Sequence, residues 1–203
     1  MLFRSLDQLG YQQQFLPQAI KPIEPLRVLV GRAMTVLEID LDGASATDSQ
    51  PFGKMFEALD DLKPHEIYVA SGSSLAYALW GGLMTTRAKK LGAAGAVLHG
   101  YHRDTQEILQ SQWPVFSMGS YAQDQAPRGK VVDWRVPMDI GGVKVQSGDL
   151  LFGDRDGVVV VPREVESEVI RRALEKVQTE SAVRQAILAG MSTVEAFERF
   201  GVM

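Results

Sequence analysis

The chain has 203 residues, 45% hydrophobic and 23% charged, with a formal net charge of −4. That supports one sizeable core, or one plus a small appendage, and excludes wholesale disorder. The lack of cysteine excludes disulfides, thiolate metal ligands and a cysteine nucleophile, and with no basic run and no stretch near the roughly 18 apolar residues of a membrane span, neither nucleic acid nor membrane is an expected partner.

The N-terminal MLFRSLDQLGYQQQ lacks the apolar stretch of a signal peptide, so a cytoplasmic location is expected. Two prolines between Lys21 and Pro25 precede RVLVGRAMTVLEID, which reads as extended, with Gly31 marking a bulge or close approach. Residues 43–53 are turn-rich and predict a loop. In KMFEALDDL (54–62), Met55, Phe56, Leu59 and Leu62 have helical spacing, and Pro64 stops the helix. EIYVASG predicts a short strand. Leu83, Met84, Arg87, Ala88 and Leu91 share one helical face, with Gly92 as the stop. AGAVLHG predicts a buried strand, Thr105 to Gln110 a short helix, and PVFSMG another strand; residues 119–129 form a polar loop.

From residue 130 the texture is β: KVVDWRVPMDI, GGVKV and DLLFGDRDGVVVVP, with Gly141-Gly142 and Asp154 to Gly157 as turns. A long helix is predicted from Arg163 to about Leu188, just after Pro162. MSTVEAFERFG predicts a last short helix, with Ser192 and Glu195 in capping-box spacing. The order defines a mixed α/β fold with a β-rich C-terminal half and a long C-terminal helix. It disfavours a plain Rossmann or TIM fold. Residues 1–203 are expected to form a single domain, with 163–203 as its C-terminal helical segment.

Arg103-Asp104 admits two readings. Asp104 precedes a short helix and Glu107 follows three residues later, which is a D-x-x-E capping arrangement. Alternatively the pair stands beyond a strand's carboxyl end, where ligands gather in α/β sheets. Trp80-Gly81-Gly82 opens a helix whose free amides attract carboxylate or phosphate, and its glycines allow close approach. An arginine fork adds bidentate recognition, and an aspartate holds a hard cation such as Mg²⁺. Together these parts suit a 2-oxo acid. His99 and His102 are second-tier candidates, since a lone histidine at a strand end is more often structural. Asp149, Asp154 and Asp156 fit turn chemistry better than a calcium loop. The 163–188 helix reads as a solvated charged face, and Trp113 and Trp134 as core or interface residues.

ALWGGLMTTRAKKLGAAGAVLHGYHRD, WPVFSMG and GGVKVQSGDLLFGDRDGVVVVP, in that order and with LVGRAMTV ahead of them, resemble the RraA-like family. This family includes class II 4-hydroxy-4-methyl-2-oxoglutarate / 4-carboxy-4-hydroxy-2-oxoadipate aldolases and the regulator of ribonuclease activity. The resemblance runs from about residue 5 to the C-terminus. It implies a swivelling β/β/α domain assembled as a homotrimer or homohexamer, with sites between subunits. It implies an aldolase or decarboxylase, a carbon–carbon lyase that uses Mg²⁺ or Mn²⁺ on a 2-oxo acid and releases pyruvate. Carried over by position, Gly81, Gly82, Leu83 and Met84 form the substrate loop, Arg103 is the substrate-binding and catalytic arginine, and Asp104 is the metal-binding and catalytic aspartate. Two departures stand out. Aldolase members often carry an acid 21 positions before the arginine, where this chain has Gly82, and Asp-Gly where it has His99-Gly100. The alternative the resemblance allows is a non-catalytic regulatory binding protein of the ribonuclease-regulator type.

Overall fold

The computed structural model describes residues 2–41, 50–74 and 77–201, so the 43–49 part of the predicted loop lies outside the described residues. In chain order the elements are α1 (Leu2–Gln8), β1 (Lys21–Pro22), β2 (Leu29–Asp40), α2 (Met55–Asp60), β3 (Glu66–Ser71), β4 (Ala78–Trp80), α3 (Gly82–Lys90), β5 (Gly95–Leu98) and β6 (Tyr101–His102). There follow α4 (Thr105–Ser111), β7 (Val115–Ser117), β8 (Gly129–Trp134), β9 (Met138–Ile140), β10 (Val143–Val145), β11 (Leu150–Asp154), β12 (Gly157–Val161), α5 (Glu166–Leu188) and α6 (Thr193–Phe200). The chain divides into two compact units: Gln13–Arg163, and Met1–Gln12 with Glu164–Met203.

The larger unit is built on one mixed sheet of order β1-β7-β5-β3-β2-β11-β12, with β8 also paired to β2. The twelve residues of β2 are long enough to serve two antiparallel neighbours: Leu29 to Arg32 pair with β11, and Val36 to Asp40 pair with β8. β3 runs parallel to β2 and β5, and β5 runs parallel to β7. The sheet curls until its ends approach, and Lys21 Nζ of β1 donates to Asp156 O in the β11–β12 turn at 2.5 Å.

The parallel strands are buried on both faces, which explains their continuous apolar runs. On one face Met34, Val36, Tyr68 and Ala70 pack against α2, α3, Trp80 and Trp113. On the other, Ala33, Ile67, Val69 and Val97 pack against Met138, Ile140, Val143 and Val145 of the β9–β10 hairpin. The layers are therefore hairpin, sheet and helices. The hairpin turn is Gly141-Gly142, as its doublet predicts, with φ of 62° and 89° that side-chain-bearing residues rarely adopt. Asp149 and Asp154 act as turn residues: Asp149 accepts from the Gln146 and Arg163 amides, and Asp154 from the Asp156 amide at 2.8 Å.

In the smaller unit α1 packs on α5, with Arg4 3.5 Å from Glu180. The long helix starts at Glu166, not Arg163, because residues 163–165 form a turn after Pro162. Its charged face is laced by Arg171 and Arg172 onto Glu168, at 2.7 and 2.6 Å. α6 carries the predicted capping box: Ser192 Oγ accepts from the Glu195 amide, and Glu195 accepts from the Ser192 amide. No helix among the described residues is long and apolar enough to cross a membrane.

Candidate active site

The site begins with a short parallel pairing that periodicity did not predict. β4 lies beside β6, with Ala78 opposite Tyr101 and Trp80 opposite His102, and the Arg103 amide donates to Trp80 O at 2.9 Å. This register lays Gly81-Gly82 alongside Arg103-Asp104. The first turn of α3 is fixed by Trp80 Nε1, which donates to Thr85 Oγ1 at 2.7 Å, while Thr85 Oγ1 donates to Gly81 O at 3.1 Å.

Asp104 does not cap its own helix. It precedes α4 with φ 58° and ψ 38°, left-handed rather than the extended conformation an N-cap side chain needs, and no side-chain cap bond forms. The D-x-x-E capping reading is thus overturned. The carboxylate turns instead to α3, where Asp104 Oδ2 accepts from the Gly82 amide at 2.9 Å. No described residue donates to Oδ1.

The double glycine leaves room for side chains from the β6–α4 junction and α4. A Cβ at Gly81 would stand 2.7 Å from Asp104 Oδ2 and 3.3 Å from Arg103 Nε. A Cβ at Gly82 would fall on the carboxylate of Glu107. The carboxylate of Glu107, from α4, thus stands where a side chain at position 82 would begin.

Arg103 lies between two carboxylates, 3.9 Å from Asp104 Oδ2 and 3.4 Å from Asp124 Oδ1. Asp124 arrives on the 119–129 loop, which is tied to β4 by the Ala78 amide donating to Gln123 O at 2.8 Å. Beside it, Gln125 Nε2 makes a short hydrogen bond to Glu38 Oε2. Glu38 is 1% exposed and its Oε1 has no partner among the described residues. Burial pushes its carboxyl up to about 8, opposed by the Gln125 bond, so it is a neutral acid at pH 7.

These groups meet at one cavity of about 280 Å³. Arg103, Asp104, Asp124 and Gln125 line it, with Gly81, Leu83 and Met84 from the start of α3. Its floor is Ala78, Leu79 and Trp80, and a further wall is Phe52, Met55, Phe56 and Leu59. Of the substrate-loop residues and the Arg103-Asp104 pair expected from sequence, only Gly82 is not on the lining: its amide holds Asp104 and its α-carbon faces Glu107. Sequence reading missed the α2 wall, Asp124, Gln125 and Glu38. Phe52 and Phe56, four residues apart and edge to face at 5.6 Å, carry the one periodic signal that could have found the wall.

The histidines are structural. His102 is buried, with Nδ1 2.7 Å from Ser117 Oγ and Nε2 3.0 Å from Thr105 Oγ1. His99 Nδ1 is 3.0 Å from Ser71 Oγ. Burial lowers both pKa values, keeping the rings neutral, and neither lines the cavity. Trp113 is core, its Nε1 donating to Ala93 O, and stacks on Trp80 at 5.6 Å.

The chain matches the family model for RraA-like proteins (aldolase/RraA) over residues 2–160 and belongs to that family. It is 27% identical over 197 residues to protein DlpA of Legionella pneumophila, covering 97% of this chain and 31% of that protein. It is 36% identical over 97 residues to the 4-hydroxy-4-methyl-2-oxoglutarate aldolase of Thermus thermophilus, covering 47% of this chain and 58% of that one. The matches thus span less than two thirds of either relative's length. Its fold is shared with Streptomyces coelicolor RraAS2, described as an unusual member of the RNase ES inhibitor RraA protein family. The TM-score is 0.80, at 24% identity, over 90% of each chain.

Proposed function

We propose that this chain is a divalent-metal-dependent lyase that cleaves or decarboxylates a 2-oxo acid to give pyruvate, of the 4-hydroxy-4-methyl-2-oxoglutarate aldolase or oxaloacetate decarboxylase type. The observation that carries this reading is the convergence of a helix start, a guanidinium and a half-exposed carboxylate on one cavity. The relative named as an aldolase supports it. On the resemblance, residues 1–203 act as one domain that assembles as a homotrimer or homohexamer in the cytoplasm.

The donor set fits a hard dication. Mg²⁺ and Mn²⁺ accept one or two carboxylates and keep water in their other positions. Asp104 is the ligand, with Asp124 as a second carboxylate on the same cavity. The described residues bring no cluster of three or more His, Cys, Asp or Glu, so a closed zinc-type site does not fit. When bound, the ion supplies Lewis-acid polarisation of the 2-keto group.

The chain's own residues do the rest. The first free amides of α3, at Leu83 and Met84, receive the substrate carboxylate. Arg103 faces the carboxylate or keto oxygen and stabilises the negative charge that develops as the bond to C3 breaks. Leu79 and Trp80 keep water from the floor. Gly82 acts through its amide, which holds Asp104 in place.

The test is pyruvate release from oxaloacetate and from 4-hydroxy-4-methyl-2-oxoglutarate, with and without Mg²⁺ or Mn²⁺. Metal-dependent release supports the lyase. One observation favours the regulatory reading: Gly82 offers no side-chain acid to the cavity. That reading prevails if no 2-oxo acid is turned over and the protein inhibits a ribonuclease.

A further inference from the structure

We infer that Glu38 is a positioning residue for the candidate active site: bonded to Gln125, it fixes the 119–129 loop so that Asp124 keeps Arg103 aimed at the substrate. The inference rests on the 2-oxo acid reading above, in which Arg103 meets the substrate.

The linkage starts from a weak contact. The side chains of Arg103 and Asp124 are 41% and 42% exposed. An ion pair that open to solvent is screened and loses side-chain entropy, so it does little by itself to hold a long arginine in one place. What makes the pair definite is the residue after Asp124. The Gln125 amide donates to Asp124 Oδ1 at 2.8 Å, the same oxygen that lies 3.4 Å from Arg103 Nη1. Gln125 O accepts from the Arg128 and Gly129 amides, at 2.6 and 2.9 Å, where the loop runs into β8. Its side chain is buried and donates from Nε2 to Glu38 Oε2. One loop residue is thus tied through its amide, its carbonyl and its side chain, and the side-chain tie ends on Glu38 of β2. Glu38 and Gln125 are both buried within one chain, so side chains that a neighbouring subunit adds to the cavity leave this linkage in place.

The second observation is a cost. Glu38 Oε1 and the Tyr68 hydroxyl are both buried, with no partner among the described residues. An unpaired polar atom away from water is unfavourable, and an apolar side chain of the same length at position 38 would avoid it. Glu38 supplies one thing such a side chain lacks, which is the acceptor for Gln125.

The experiment compares wild type with Glu38→Met and Glu38→Gln. Methionine is unbranched and fills the same space without an oxygen acceptor, whereas glutamine keeps a carbonyl oxygen for Gln125. The substrate is oxaloacetate or 4-hydroxy-4-methyl-2-oxoglutarate, whichever the wild type turns over with Mg²⁺. Glu38→Met is expected to raise KM by about fivefold and to lower kcat/KM by about tenfold or more. Glu38→Gln is expected to stay within about threefold of the wild type in both. Crystal structures of the three proteins give a readout independent of turnover: the Arg103–Asp124 contact is lost in Glu38→Met and kept in Glu38→Gln. Gln125→Met removes the same bond from its other end, is expected to repeat the effects of Glu38→Met, and takes its place if that variant does not fold. Three results would each overturn the inference: a fall in kcat at unchanged KM, as a smaller folded fraction gives; an intact Arg103–Asp124 contact in the methionine variants; or a Glu38→Gln variant as impaired as Glu38→Met. If the wild type turns over no 2-oxo acid, the lyase reading fails, and the crystal structures alone decide whether Glu38 positions Arg103.

Discussion

The carboxylate of Asp104 accepts a hydrogen bond from the Gly82 amide at 2.9 Å, across 22 residues and between the starts of two different helices. This bond joins the two halves of the site. It satisfies one free amide of α3 and orients a carboxylate that would otherwise cap α4.

Asp104→Ala is expected to abolish metal-dependent activity and metal binding while the fold survives. Losing the partner of the Gly82 amide costs about 0.5–2 kcal/mol, the range of a lost cap. Metal titration by calorimetry and thermal melts of the same sample check this. A larger stability loss with metal binding unchanged would make Asp104 a structural residue alone.

Gly82→Ala is expected to destabilise by no more than about 1 kcal/mol, because its methyl meets the Glu107 carboxylate, the far end of an exposed side chain that can turn away. Glu107→Ala removes the obstacle. In the double variant the cost of Gly82→Ala should fall, giving a coupling of about 0.5–1 kcal/mol in urea-melt cycles. Additive effects would show that the two residues do not touch.

Arg103→Lys keeps the charge and loses the planar fork. If the guanidinium meets a carboxylate and a keto oxygen together, kcat/KM for any 2-oxo acid substrate should fall by about 10- to 100-fold, roughly 1.4–2.8 kcal/mol. Steady-state kinetics against the wild type read this directly, and an unchanged value would remove Arg103 from substrate recognition.

Glu38 makes stability depend on pH. Unfolded, its carboxyl ionises near 4.5; folded, burial holds the proton until about 8. Between these values the unfolded state binds fewer protons, so Glu38's contribution falls as pH rises, by roughly 3–5 kcal/mol in total. His99 and His102 act the other way, because their lowered pKa values make stability rise as pH climbs through 6.5. The comparison that isolates Glu38 is therefore Glu38→Gln minus wild type. That difference in urea-melt stability should grow in favour of the variant from pH 5 to pH 8, and a flat difference would contradict a buried neutral acid.

The sequence marks its elements well where a local residue decides them. Gly92, at φ 78°, ends the α3 region; Gly141-Gly142 makes the hairpin; Ser192 and Glu195 close the capping box. It marks them poorly where a distant partner decides. Ala78-Leu79-Trp80 becomes a strand only because Tyr101-His102 lies beside it. Asp104 has the spacing of a cap, but its left-handed backbone aims the carboxylate at another helix. Glu38 sits where β2 and β8 shift register, and Gln125, from an aperiodic loop, covers it. Their place beyond a strand and the family resemblance both marked Arg103 and Asp104 as a pair, whereas Asp124 and the α2 wall needed coordinates, since Asp124 lies on an aperiodic loop and the Phe52–Phe56 spacing marks a face without showing what it faces.

The most direct measurement is pyruvate formation from a panel of 2-oxo acids by wild type and Asp104→Ala, titrated with Mg²⁺ and Mn²⁺. The account predicts saturable, metal-dependent release by the wild type and none by the variant, with both proteins showing a cooperative thermal transition. Natively folded wild-type protein that releases no pyruvate with either metal, or an Asp104→Ala variant that keeps full metal-dependent turnover, would contradict it.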